Sequence, residues 1–427
     1  MGAGLRCTPL TFLLSGFGWL LLSVLLGLAT LIGLVNGTPL PAWLKLLHVH
    51  GTLIGGLLQL LIGGLLFFQA RVSEHKDAYS QASNGLFLAF NGATLALLLS
   101  FLLGQTQLAA LFGLILLGTV LSPAKAAWRL AGTALNAPTG FGVLYRVSLA
   151  ALVAGLAVGV AMALRVFPEL YAHARLLHIH LLVLGFVTVT FVVAAAQLVS
   201  AMVRQEPAAQ RFARWALWSL PAGFAALIGG FVTSSLWFEL IVGSILVVAI
   251  AGCASYLVTT WVRSGLPGTA ASDHLLIGMV FLVLASAAGV AMGANYLSSP
   301  PVMPIGSLHL VAYTHLAFIG FMLQAICAAL SYGLPILLAN SRVPSQKKRE
   351  PYREQLDGIM NRWRTIQLGT LSLGTMGLAA LAALVWSMPL GSWQVQTAVW
   401  VASGFLLAGL MLFTAKVAWT VGLRPTS

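Results

Sequence analysis

Three stretches of the chain set an imidazole at a fixed distance from a glycine. His48-Val-His50-Gly-Thr-Leu-Ile-Gly55-Gly56, His178-Ile-His180-Leu-Leu-Val-Leu-Gly185-Phe186 and Tyr313-Thr-His315-Leu-Ala-Phe-Ile-Gly320-Phe321 each carry a histidine followed five residues later by a glycine. His50 and His180 are 130 residues apart, and His180 and His315 are 135 apart. Gln59 and Gln324 fall at matching places in the first and third stretches. Imidazole is the side chain that titrates near neutrality and most often ligates metals. On a helix with ~100° per residue, an i, i+2 pair points to nearly opposite sides. His48/His50 and His178/His180 therefore cannot chelate one ion from one face. Each pair can serve two neighbouring compartments, as flat cofactors standing between helices would need. The bland alternative is interhelical hydrogen bonding. The glycines make room for a cofactor plane or for a neighbouring helix.

The elements that carry these residues are set by composition. Of 427 residues, 59% are apolar and 7% charged, with a mean hydropathy of +0.96. A soluble domain carries about a quarter charged residues, so a soluble enzyme, a disordered chain and a nucleic-acid binder are excluded. Apolar runs predict twelve spans, at about residues 10–35, 45–68, 85–103, 107–122, 143–166, 176–202, 214–233, 236–261, 274–296, 308–337, 365–387 and 394–418. The runs are continuous rather than alternating, which indicates helices and not barrel strands. The first run is too long for a removed signal peptide and lacks a small-residue cleavage site, so it is expected to be a span.

With the N-terminus inside, 19 of the 22 Lys and Arg fall on the inner side and only Lys45, Arg165 and Arg175 on the outer. That bias predicts an even number of spans and cytoplasmic termini, and it accounts for most of the net charge of +13. Four spans separate each motif from the next. The expected fold is therefore an all-α integral membrane protein, one polytopic domain over 1–427. Its twelve transmembrane helices form three four-helix repeats, at about 1–135, 136–265 and 266–427. Cys7, Cys253 and Cys327 form no disulfide or zinc spacing, and no Cys-x-x-Cys-His for covalent heme is present.

Twelve helices in three arcs, with histidines near the outer face, resemble subunit I of the heme–copper oxidases and nitric oxide reductases. His-Leu-Ala-Phe-Ile-Gly-Phe at 315–321 looks like the tenth helix of the C-type oxidases, and His-Leu-Leu-Val-Leu-Gly-Phe at 180–186 resembles the same motif. The resemblance implies a non-covalent, b-type heme held between the second and tenth helices by His50, with His48 as the alternative, and His315. Tyr313 stands where the family has a second histidine for a catalytic heme, and His309 is the nearby substitute. His178 or His180 matches the helix-6 ligand of the family's copper site. Span 7 contains neither the histidines nor the tyrosine that complete that site. His178, His180 and His309 are left as a candidate shallow metal or second-heme site, and heme without stoichiometric copper is expected.

The resemblance further implies residence in the cell's inner (plasma) membrane, an electron-donor cytochrome or partner subunits, and respiratory electron transfer or oxygen and nitric oxide chemistry. Oxidase or reductase activity stays open, because the copper ligands of helix 7 are absent and Glu239 is the single carboxylate, of nine, expected within a span. Lys45 and Arg175 each precede a motif histidine, His50 and His180, by five residues. They suit heme propionates through charge-assisted hydrogen bonds, or snorkel at helix ends.

Two other readings compete. The NnrS-like heme–copper membrane proteins of nitric oxide stress usually have an acidic residue after His-x-His, where this chain has Gly51. A twelve-helix transporter also fits the span count, but its repeats would more often be inverted or six helices long. Among the remaining residues, His75 is expected to be solvated. His274 is expected at a helix end capped by Asp273. His173 lies in the outer loop, and the proline-rich 298–304 stretch either covers a cofactor or merely connects helices. The basic run 341–364 reads as an inner loop that could touch anionic headgroups.

Overall fold

The computed structural model describes residues 7–72, 76–132, 141–166, 168–203, 206–297 and 307–425. Among them there is no strand. A chain this apolar has no water with which to satisfy its backbone inside a bilayer, and helices satisfy it internally. Eleven helices are long and apolar enough to cross a membrane, and a shorter apolar helix, Trp218–Thr233, lies where the seventh span was expected. The chain is an all-helical, multi-pass membrane protein.

Two compact units are distinguished. The first holds α1 (Pro9–Val35), α2 (Ala42–His50), π1 (Gly51–Leu58), α3 (Gln59–Val72), α4 (Lys76–Leu102), α5 (Thr106–Gly132), α6 (Gly142–Ala163), α7 (Tyr171–His180), π2 (Leu181–Thr188), the start of α8 (Val189–Val203), and α9 (Glu206–Thr233). The second holds α10 (Leu236–Ser264), α11 (Ala270–Asn295), α12 (Ser307–His315), π3 (Leu316–Leu323), α13 (Gln324–Arg342), α14 (Gln346–Asn361), α15 (Arg364–Ser387) and α16 (Trp393–Gly422).

Helix ends follow local chemistry. The tight connection between α4 and α5 turns on Gly104, at φ +66°. There the Gln105 N–H donates to the Ser100 carbonyl at 2.9 Å and the Gly104 N–H to Phe101 at 3.1 Å, a glycine-terminated helix end. The start of α11 is capped by Thr269 and Ser272 in a reciprocal box. Asp273 therefore is not the cap; it pairs with Arg364 at 3.0 Å. In the second unit α14 is polar and lies outside the span proper. Arg342 at the end of α13 donates to the carbonyls of Val421, in the last turn of α16, and of Leu423, just past its end, at 2.7 and 2.6 Å. One end of this unit thus gathers α14 and the basic residues around it.

Candidate functional site

Each motif helix changes its winding immediately after its last histidine. α2 ends at His50, α7 at His180 and α12 at His315, and each is followed by eight residues of π-helix. Such segments are rare, short and concentrated at functional sites. The Thr188 hydroxyl donates to the Val183 carbonyl five residues back, at 2.9 Å, the reach a π turn provides. The spans containing these segments are also the most buried, at 56–67% of their apolar windows against at most 39% for any other.

The histidine that ends each motif helix is held the same way in all three places. Nδ1 lies 2.9 Å from the Leu46 carbonyl in His50, 2.8 Å from Leu176 in His180 and 2.7 Å from Val311 in His315. A carbonyl accepts, so Nδ1 carries the proton and Nε2 is the lone-pair nitrogen. Pinning one ring nitrogen to a carbonyl fixes the tautomer and orientation that a ligating histidine needs.

The first residue of each motif packs on the long helix before it. His48 Nδ1 donates to the Ser23 carbonyl of α1 at 2.8 Å, and His178 Nδ1 to the Gly155 carbonyl of α6 at 2.8 Å. Four residues on, Gly27 and Gly159 make room for the two rings; a methyl group there would stand 2.5 and 2.8 Å from Cε1. In the second unit Tyr313 takes this place over Gly289 of α11, where a methyl group would stand 3.1 Å from Cε2. The interhelical hydrogen bond weighed as the bland alternative is thus what His48 and His178 make. The motif glycines serve helix approach: added methyl groups at Gly55, Gly185 and Gly320 would meet Trp19, Ala151 and Phe281.

The paired histidines face different neighbours, as an i, i+2 spacing requires. His50 lies against Phe101 of α4 with ring centroids 4.7 Å apart, and His180 against Phe231 of α9 at 4.6 Å. Within the first unit His50 and His178 are within electrostatic range of each other. An apolar cavity of about 170 Å³ borders π1, lined by Trp19, Leu47, Gly51, Leu98 and Leu102, with Ser23 as its one polar side chain.

Lys45 and Arg175 are both exposed, on α2 and α7 ahead of their histidines. His309 falls within α12, with its side chain outside the described residues, as are His75 and the 298–304 stretch. Among the described residues no three His, Cys, Asp or Glu side chains gather as a metal-holding group. His173 lies near Ser234, Nε2 to Oγ 3.2 Å. Glu239 sits in the first turn of α10, where a carboxylate meets the positive end of the helix dipole.

Sequence reasoning missed His274. It is fully buried in α11, bonded to Gln324 of α13 and to Gln367 of α15. The available signal is Gln324 itself, which matches Gln59 as a polar residue deep in an apolar run. No known protein-family model matches the chain, and no curated protein sequence matches it.

Proposed function

We propose that the chain is a heme-binding protein of the cell's inner membrane, similar to subunit I of the heme–copper oxidases and nitric oxide reductases. In this reading it has twelve spans, with α9 as the seventh, arranged as three four-helix repeats with both termini cytoplasmic. What carries the proposal is the recurrence of one device: a histidine whose Nδ1–H is tied to its own helix, at the lip of a π segment, three times at matched spacing. The matched seating of His48, His178 and Tyr313 over a glycine of the preceding helix supports the repeat.

The donor set fits heme. Neutral imidazoles presenting Nε2 are the usual axial ligands of b-type iron, and the resemblance implies His50 and His315 as the pair, with His48 as the alternative. The exposed Lys45 and Arg175 carry charge suited to propionates. Heme supplies one-electron chemistry when bound. The chain's residues orient the ligand rings, exclude water with apolar neighbours such as Phe101 and Phe231, and set the tautomers. The reading places the protein in respiratory electron transfer or oxygen and nitric oxide chemistry, with a donor cytochrome or partner subunits. Purification from membranes, followed by an absorption spectrum and heme and copper quantification, tests it: heme bound near one or more per chain is expected, and a colourless protein would reject the reading.

A further inference from the structure

The second unit contains a chain of four buried polar side chains, each from a different helix. Lys416 of α16 donates from Nζ to Gln367 Oε1 at 2.7 Å and to the Met360 carbonyl at 3.1 Å. With its amide oxygen so used, Gln367 turns Nε2 to His274 Nε2, 2.9 Å away. That nitrogen must accept, so His274 carries its proton on Nδ1 and donates it to Gln324 Oε1. Lys416 is 2% exposed, Gln367 1%, and His274 and Gln324 0%. The donor direction is therefore the same along the whole chain, from Lys416 to Gln324.

Burying an ammonium is costly unless it is paired, and every hydrogen-bond partner of Lys416 here is a neutral oxygen. The titratable groups around it are also ill suited to neutralise it. Cys327 of α13 is a buried thiol against Gln367 and Lys416. His274 of α11 feels the Lys416 charge directly. Of the carboxylates on the helices around it, Asp273 is engaged with Arg364, and Asp357, one turn before Met360 on α14, with Arg353. Ionisable residues kept in such settings within a membrane mark proton or ion pathways rather than stability.

We infer that Lys416 is a proton-binding site that exchanges one proton with water at the α14 end of this unit, and that Gln367 and His274 transmit its charge state to Gln324. The step is Lys416–NH3+ giving Lys416–NH2 and one proton released to water. No bond changes elsewhere in the chain, but each downstream hydrogen bond loses the polarisation a cationic donor imposes. Gln324 is the first residue after π3, nine residues from His315, and its amide nitrogen has no partner. In the first unit its counterpart Gln59 is equally buried but has neither polar atom paired, so the proton-linked chain belongs to the third motif alone. The inference is independent of heme binding.

The test is pH-difference infrared spectroscopy of the full-length protein in lipid nanodiscs, with histidine rings isotopically labelled. Between about pH 6 and pH 11, a range that reaches well below the ordinary lysine value of about 10.4, the wild type should show one reversible change in a neutral-histidine ring band together with a glutamine amide band. Lys416→Met should abolish both, and Gln367→Leu should abolish the histidine change. Absence of the paired change in the wild type, or its persistence in either variant, would overturn the inference. Should Lys416→Met fail to fold, the histidine band of Gln367→Leu, set beside that of the wild type, still separates the two results.

Discussion

The His178 ring rests over Gly159, where a methyl group would stand 2.8 Å from its Cε1. The ring cannot retreat without giving up its hydrogen bond to the Gly155 carbonyl. Gly159→Ala, and Gly27→Ala under His48, should each destabilise the protein by ~1–3 kcal/mol, the usual cost of overpacking. Gly92 and Gly118 have nothing within 4 Å of an added methyl group, so alanine there should be neutral or stabilising by up to about 1 kcal/mol. Thermal unfolding in detergent of the four variants separates the two classes.

Asp357 gives a pH prediction outside the spans. Partial burial on α14 lifts its carboxyl to about 6, with Arg353 pulling it down and Glu350 and Glu354 pushing it up. An acid whose folded value is raised gives stability that is complete below its unfolded value of 3.8 and is lost as pH climbs to about 6. Asp357→Asn should therefore match the wild type near pH 4 and exceed it at pH 7. The effect should be small, since the side chain is 37% exposed and its pair with Arg353 is screened. Melting curves of both proteins across that window check the sign.

The distribution of basic residues predicts the sidedness. Reporter fusions at the C-terminus and within 344–350 should both report the cytoplasm. An outside signal from either would remove the twelve-span arrangement.

Composition alone makes the spans legible, because a charge deficit this large leaves only the bilayer as solvent. The His-to-Gly spacing likewise exposes the three motif helices. The π segments are not legible, since an i→i+5 turn over eight apolar residues leaves no periodic signature. Nor are the partners of His48 and His178, as Ser23 and Gly155 matter only through their carbonyls once α1 and α6 are packed. Lys416 reads as one more inner-side cation because it falls two residues before the predicted end of the last span at 418, yet α16 continues to Gly422 and carries the lysine inside. His274 reads as a helix-end residue beside Asp273; its partners emerge only where four helices meet.

The reduced absorption spectrum of the purified full-length protein, compared among wild type, His50→Ala and His315→Ala, bears most directly on heme ligation by the motif histidines. The wild type should give a six-coordinate, low-spin heme spectrum, and each substitution should abolish it or convert it to high spin. Spectra unchanged in both variants, or a wild type without heme, would contradict the assignment.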